Sequence, residues 1–337
     1  MSTNPLKGWS VDPAQIVMVG EDLQRPECIL AERDGTIWSA DARGGVMRIA
    51  ADGQQQLISQ KQAGAFDLNA DPAASLLTGT LPNGLAFAPN GDFLIANFGT
   101  DRLELMDRSG QTSVLFEDID GKWLGKVNFV LRDSKNRLWI TISTKINPWS
   151  DAICKSVCDG AIVLMDEKGP RVVAEGLYFT NELRLDAGEE WLYVAETTAK
   201  RVSRFKVTAD GLGPRETYGP SDLGRGLIDG IAFDAAGNLW AAMVFADRLV
   251  AITPDGDAIE LLNDGDAAAT DAFEAEFASG KAVSFETLYA TGGTICPWLA
   301  SITFGGADLQ TVMLGGLRAS RIPTFRSPVP GLPMIHW

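Results

Sequence analysis

A turn followed by a short aromatic and β-branched run recurs six times along the chain. The copies read GTIWSAD (35–41), GDFLIAN (91–97), NRLWITI (136–142), EWLYVAE (190–196), GNLWAAM (237–243) and, most divergent, QTVMLGG (310–316). With Ile37, Phe93, Leu138, Leu192, Leu239 and Val312 as equivalent points, the gaps are 56, 45, 54, 47 and 73 residues. Most copies are followed by a second run closed by another turn, as in DRLELMDRSG (101–110) and DRLVAITPDG (247–256). Each unit therefore reads as a small antiparallel meander. Units of roughly 40–50 residues with several strands each specify a β-propeller, whereas solenoid repeats are shorter and stack through helices or single strands. The expected fold is all-β, one six-bladed propeller over residues 1–337.

The longest gap holds the segment 262–298, in which Asp271 to Ala278 has helical apolar spacing through Phe273 and Phe277. A short helical insertion between the last two blades is expected there, as a lid or as a decoration of the rim. The proline-rich C-terminus IPTFRSPVPGLPMIHW has two open uses, pairing with an N-terminal strand to close the ring or packing on a partner subunit.

Composition prunes the chemistry. A net charge of −15 argues against a nucleic-acid partner, whose phosphates would be repelled. No stretch is long and apolar enough to span a bilayer, and the N-terminus lacks a signal-peptide pattern, so a cytoplasmic protein away from membranes is expected. The four cysteines, Cys28, Cys154, Cys158 and Cys296, are too sparse for a disulfide framework. Cys154 and Cys158 could form a local pair or a soft-metal site, but no second pair completes a zinc cage, so buried or incidental thiols are expected. The single histidine, His336, lies in the tail. Acid–base or metal chemistry in the body must then rest on carboxylates, amides, lysines or tyrosines.

Stepping back ten residues from four of the equivalent points reaches Glu27, Asn83, Asn128 and Asp229. Allowing for longer turns, the same position is Asn181 in the fourth copy and Ala300 in the sixth. Asn and Asp there could be simple turn formers. Five oxygen-bearing side chains in six copies, one of them a Glu in PECIL, instead suggest a set converging on the channel axis. Such a set suits a hard divalent cation such as Ca²⁺, Mg²⁺ or Mn²⁺, with Zn²⁺ less favoured. A bound ion would also relieve repulsion between the two carboxylates.

These residues resemble the SMP-30/gluconolactonase/LRE-like family of six-bladed propellers, from RPECIL to ITFGGADLQTVMLGGL. The resemblance implies one divalent metal, Ca²⁺ before the others, held by Glu27, Asn181 and Asp229, with Asn128 near substrate. It implies a metal-dependent lactonase acting on a small cyclic ester, with Asp229 as the catalytic group that takes or positions the proton of water. Another esterase or a strictosidine-synthase-like reaction on the same site, or a non-catalytic ligand-binding propeller, are the alternatives. Where the family has an Arg and an Asp around Asn128, this chain has Lys126 and Phe129, which points to a substrate with fewer hydroxyls, aromatic or acidic. Asn83, Lys126, Asn128 and Phe129 are the expected substrate contacts, joined by Lys145 and Trp149 from the long loop TISTKINPWSDAICKSVCDG.

Overall fold

In a computed structural model, described for residues 4–61, 73–77 and 79–337, six four-stranded antiparallel sheets are arranged as blades. Their first strands are Ile29–Ala31, Pro82–Phe87, Val127–Arg132, Thr180–Leu185, Leu227–Phe233 and Leu299–Gly305. Each packs against the first strand of the next blade, the last against the first, so these six strands wall a central channel. The six recurring runs are the second strands, Ile37–Asp41, Phe93–Asn97, Leu138–Ile142, Trp191–Glu196, Leu239–Val244 and Thr311–Gly316.

The recurring turn before each second strand has a physical cause. Asp133 Oδ1 accepts the amides of Lys135 and Arg137, while its Oδ2 accepts Arg137 Nε at 2.7 Å and Trp139 Nε1 at 3.0 Å. Asp234 repeats the pattern with Ala236, Asn238 and Trp240. A buried carboxylate thus fixes the turn and orients the Trp that fills the space between blades.

The ring closes by the first of the two routes. Val17–Val19 pairs antiparallel with Ile322–Arg326 as the outer strand of the sixth blade, with Val17 opposite Thr324. Chain from both ends in one blade leaves no gap in the ring. The remaining tail folds under the channel, where the His336 ring bonds the Ala31 carbonyl at 3.0 Å and stands edge-on to Phe87.

The insertion carries two helices, α1 over Ala267–Ala278 and α2 over Phe285–Ala290. The first begins four residues earlier than the apolar spacing indicates, because Asp266 caps it by accepting the Ala269 amide. Asp247 ties the insertion to the fifth blade by accepting the amides of Gly293, Trp298 and Leu299. None of the four cysteines is in a disulfide, and only Cys158 is exposed. Among the described residues no helix is long and apolar enough to cross a membrane.

Candidate metal centre and its cavity

The polar column does not sit in turns. Four of its members lie in the first strands, and in five blades the pairing between first and second strand is interrupted where the column residue stands. The interruptions fall between Pro82 and Gly84, Val127 and Phe129, Thr180 and Leu183, Ile228 and Ile231, and Leu299 and Ser301. A bulge re-aims one side chain out of the regular alternation. The glycines after Asn83 and Asp229 serve close packing. A Cβ on Gly84 would lie 2.6 Å from Phe129 Cα, and one on Gly230 would lie 2.3 Å from the Ala300 carbonyl oxygen.

Glu27, Asn83, Asn128, Asn181 and Asp229 consequently line one cavity at the end of the channel where the first strands begin. All five are at least nine-tenths buried. Asn83 organises the group. Its Nδ2 donates to Glu27 Oε1 at 2.8 Å and to the Asn128 backbone and side-chain oxygens at 3.1 and 3.3 Å. Its Oδ1 accepts Arg25 at 2.6 Å. Arg25 also forms a 2.8 Å ion pair with Glu27 Oε2, and that contact is too poorly aligned for a hydrogen bond. Asn181 Oδ1 and Asp229 Oδ1 are buried without any hydrogen-bond partner.

Two carboxylates this deep hold their protons strongly. Burial pushes Glu27 up to about 7; the Arg25 guanidinium pulls the other way, and the Glu182 charge adds to the rise. Burial drives Asp229 well above the usual carboxylate range, with the charges of Glu27 and Glu182 reinforcing it. Buried oxygens without a hydrogen bond are uncommon in folded proteins, and here three line one cavity, on Glu27, Asn181 and Asp229, the Glu27 oxygen being ion-paired with Arg25. This donor set, all oxygen with two carboxylates, fits a divalent cation. Among the described residues no three His, Cys, Asp or Glu side chains group closely enough to hold a metal. Any ion here would therefore depend on the amides.

The other expected contacts separate. Trp149 lines the cavity, and its indole donates to the Leu76 carbonyl at 2.9 Å. Phe129 does not reach the cavity. It is fully buried beyond the interrupted pairing at Asn128, close beside Gly84, with the Arg184 guanidinium 4.7 Å from its ring. Lys126 is also outside, buried and paired with Asp101 at 3.1 Å. Lys145 is exposed on its loop.

Three features escape the column. Arg25 lies two residues before Glu27 in a left-handed backbone conformation, φ 56°. Glu182 sits one step deeper than Asn181 and is fully partnered, by Arg184 at 2.8 Å, Ser301 Oγ at 2.7 Å and the Ile231 amide at 3.2 Å. The walls above the polar floor are apolar, with Phe98, Phe179, Val244, Phe245 and Leu317. The same sequence arithmetic reaches part of this wall. Phe98, Thr197 and Leu317 each stand five residues after an equivalent point, and Phe245 six after. A larger cavity of about 330 Å³ lies at the opposite end of the channel, between Arg132, Arg184, Phe233 and the tail residues Leu332 and Met334. It contains none of the unpartnered oxygens. The unbonded oxygens of Glu27, Asn181 and Asp229 all belong to the smaller one.

Comparison with known proteins agrees with this architecture. The adipocyte plasma membrane-associated protein of Danio rerio is 29% identical over 171 residues, 48% of this chain and 41% of that one. A 6-deoxy-6-sulfogluconolactonase of Pseudomonas putida is 25% identical over 165 residues, 48% of this chain and 46% of that one. The chain thus matches less than half the length of either relative. The structure of regucalcin from Agrobacterium tumefaciens, described as a calcium-binding protein, superposes with a TM-score of 0.66 at 14% identity, covering 94% of this chain and 95% of that one. The SMP-30/gluconolactonase/LRE-like region matches residues 26–270, well over half of the sequence, and the chain belongs to that family.

Proposed function

We propose that the protein is a divalent-metal-dependent hydrolase of a small cyclic ester. The observation that carries this reading is that three buried oxygens without a hydrogen-bond partner, on Glu27, Asn181 and Asp229, line the floor of one cavity. The lactonase among its sequence relatives and the calcium-binding neighbour of the same fold support it.

Glu27, Asn181 and Asp229 would hold the ion, and an all-oxygen set favours Ca²⁺. When bound, the ion supplies the Lewis acidity that polarises an ester carbonyl and acidifies a water. The chain's own residues do the rest. Asp229, through the carboxylate oxygen left free of the ion, takes the proton of the attacking water and returns it to the ring oxygen as the acyl C–O bond breaks. The product is an open hydroxy acid. Asn83 fixes the Glu27 carboxylate and the Asn128 side chain, so the floor is oriented before substrate arrives. Arg25 keeps positive charge beside Glu27. The apolar walls keep bulk water away and strengthen each polar contact below them.

The test is protein stripped with EDTA and reloaded with Ca²⁺, Mg²⁺, Mn²⁺ or Zn²⁺, assayed by proton release against a panel of lactones. Turnover should vanish on stripping and return with at least one ion. Turnover indifferent to stripping, or no turnover of any lactone by the fully loaded protein, would contradict the reading.

A further inference from the structure

The walls of the cavity are more selective than its floor. Trp149 stands between Phe98 and Phe179, edge-on to both, with ring centroids 6.3 and 6.4 Å away. On the other side Phe245 is held by Phe273 of α1 at 5.2 Å and by Trp298 at 5.0 Å. The insertion thus backs one wall of the site. Two of these rings are carried by strained backbone, since Phe179 and Phe245 adopt left-handed conformations with φ 49° and 67°. Bulky residues rarely do so, and such strain persists where surrounding structure requires a particular side-chain placement. Here it places aromatic rings over the polar floor.

Hydrogen-bonding capacity on these walls is scarce. Arg25 is committed to Glu27 and Asn83, and the nearby Lys126 to Asp101. Thr197 lines the cavity with a hydroxyl that has no partner in the protein, and its amide donates to the Phe179 carbonyl, which ties it to the aromatic wall. A polyhydroxylated ring would bury several hydroxyls here with one wall side chain among the described residues free to meet them, and each unmet hydroxyl weakens binding by roughly tenfold. A charged substituent would find no free counter-charge among the described lining residues.

We infer that the site takes a neutral, compact, largely apolar lactone, its ring clamped among Phe98, Trp149, Phe179 and Phe245 and its one polar edge met by Thr197. This rests on the lactonase reading for the reaction but not for the ligand class. Lys126 and Phe129, which suggested fewer hydroxyls from sequence, do not carry it; these five residues do.

Binding of unreactive lactams to the metal-loaded protein separates ligand class from reaction. 3,4-Dihydroquinolin-2-one, flat and neutral, should bind at least tenfold tighter than gluconolactam in calorimetric titration. Thr197→Val should weaken the dihydroquinolinone at least threefold while leaving the melting temperature equal or higher, because an unpartnered buried hydroxyl is removed. Phe98→Leu should weaken the dihydroquinolinone at least threefold and leave gluconolactam unchanged. Equal or tighter binding of gluconolactam, no binding of either lactam, or dihydroquinolinone affinity within twofold of wild type in both variants would overturn the proposal. If the dihydroquinolinone binds as expected but its ester counterpart dihydrocoumarin is not hydrolysed, the ligand class stands and the reaction falls.

Discussion

Glu182 and Asp229 stand on neighbouring first strands in the same channel, 1% and 4% exposed, yet their surroundings differ completely. Glu182 is met by a guanidinium, a hydroxyl and a backbone amide. Asp229 presents a carboxylate oxygen to which nothing in the protein bonds. Burial raises the proton affinity of both carboxylates. A fully paired buried charge joins blades; an unpaired one destabilises the fold by about 1–3 kcal/mol and calls for a partner from outside the chain. Burial alone therefore does not mark a functional carboxylate, whereas burial without satisfaction does.

Replacing each residue by its amide breaks this comparison in opposite directions. Asp229→Asn should lower turnover by about 10³-fold, within the range a positioned general base supplies, and leave the metal-free protein equally or more stable, since a buried carboxyl whose ionisation the site disfavours is gone. A variant that keeps turnover would remove Asp229 from the reaction. Glu182→Gln should destabilise the fold by about 3 kcal/mol, because Arg184 then stays buried without its counter-charge. Adding Arg184→Met should restore most of that loss in chemical denaturation. Unchanged stability with lost turnover would move Glu182 into the chemistry.

Phe129 offers a smaller test of placement. Phe129→Leu should lower stability by about 1 kcal/mol through loosened packing beside Gly84 and Arg184, and leave KM untouched. A changed KM with unchanged stability would put Phe129 against substrate after all. The smallest effect belongs to the tail. Burial lowers the His336 pKa below its ordinary 6.5, with the Ala31 carbonyl and Glu32 opposing and Arg132 assisting. Its contribution is then fully present above pH 6.5 and lost as pH falls through the lowered folded value. Protection factors of the tail amides, taken relative to the intrinsic exchange rate at each pH, should fall a few-fold between pH 7 and 5 in the wild type and not in His336→Gln. Identical profiles would show that another group governs the tail.

Much of this molecule is legible in its sequence, and the limits are physical. The turn-and-strand period gives the number of blades because each second strand follows a tight turn, closed by a carboxylate-to-indole bond in three of them, at Glu32, Asp133 and Asp234. Counting back from Ile37, Phe93 and their equivalents found the floor of the cavity because each column residue sits at a comparable point of its blade. Arg25 was invisible to that count, since it precedes the first strand and reaches the channel through a left-handed turn. Glu182 was missed for the opposite reason. A bulge between Thr180 and Leu183 breaks the alternation that would have turned it away from the channel. Phe129 stands outside the cavity lining because the interrupted pairing at Asn128 leaves it beside Gly84 and under Arg184, a placement that spacing alone does not show. The apolar wall repeats with a period of its own, at Phe98, Thr197, Phe245 and Leu317, but varied chemistry hides it.

The central claim is that Glu27, Asn181 and Asp229 hold one divalent ion at the floor of this cavity. Crystals of the protein loaded with Mn²⁺, measured for anomalous scattering, test it most directly. The account predicts a single strong peak within coordination distance of all three oxygens, absent in crystals of Asp229→Asn. A peak elsewhere, or none in a protein that binds one ion per chain in solution, would contradict it.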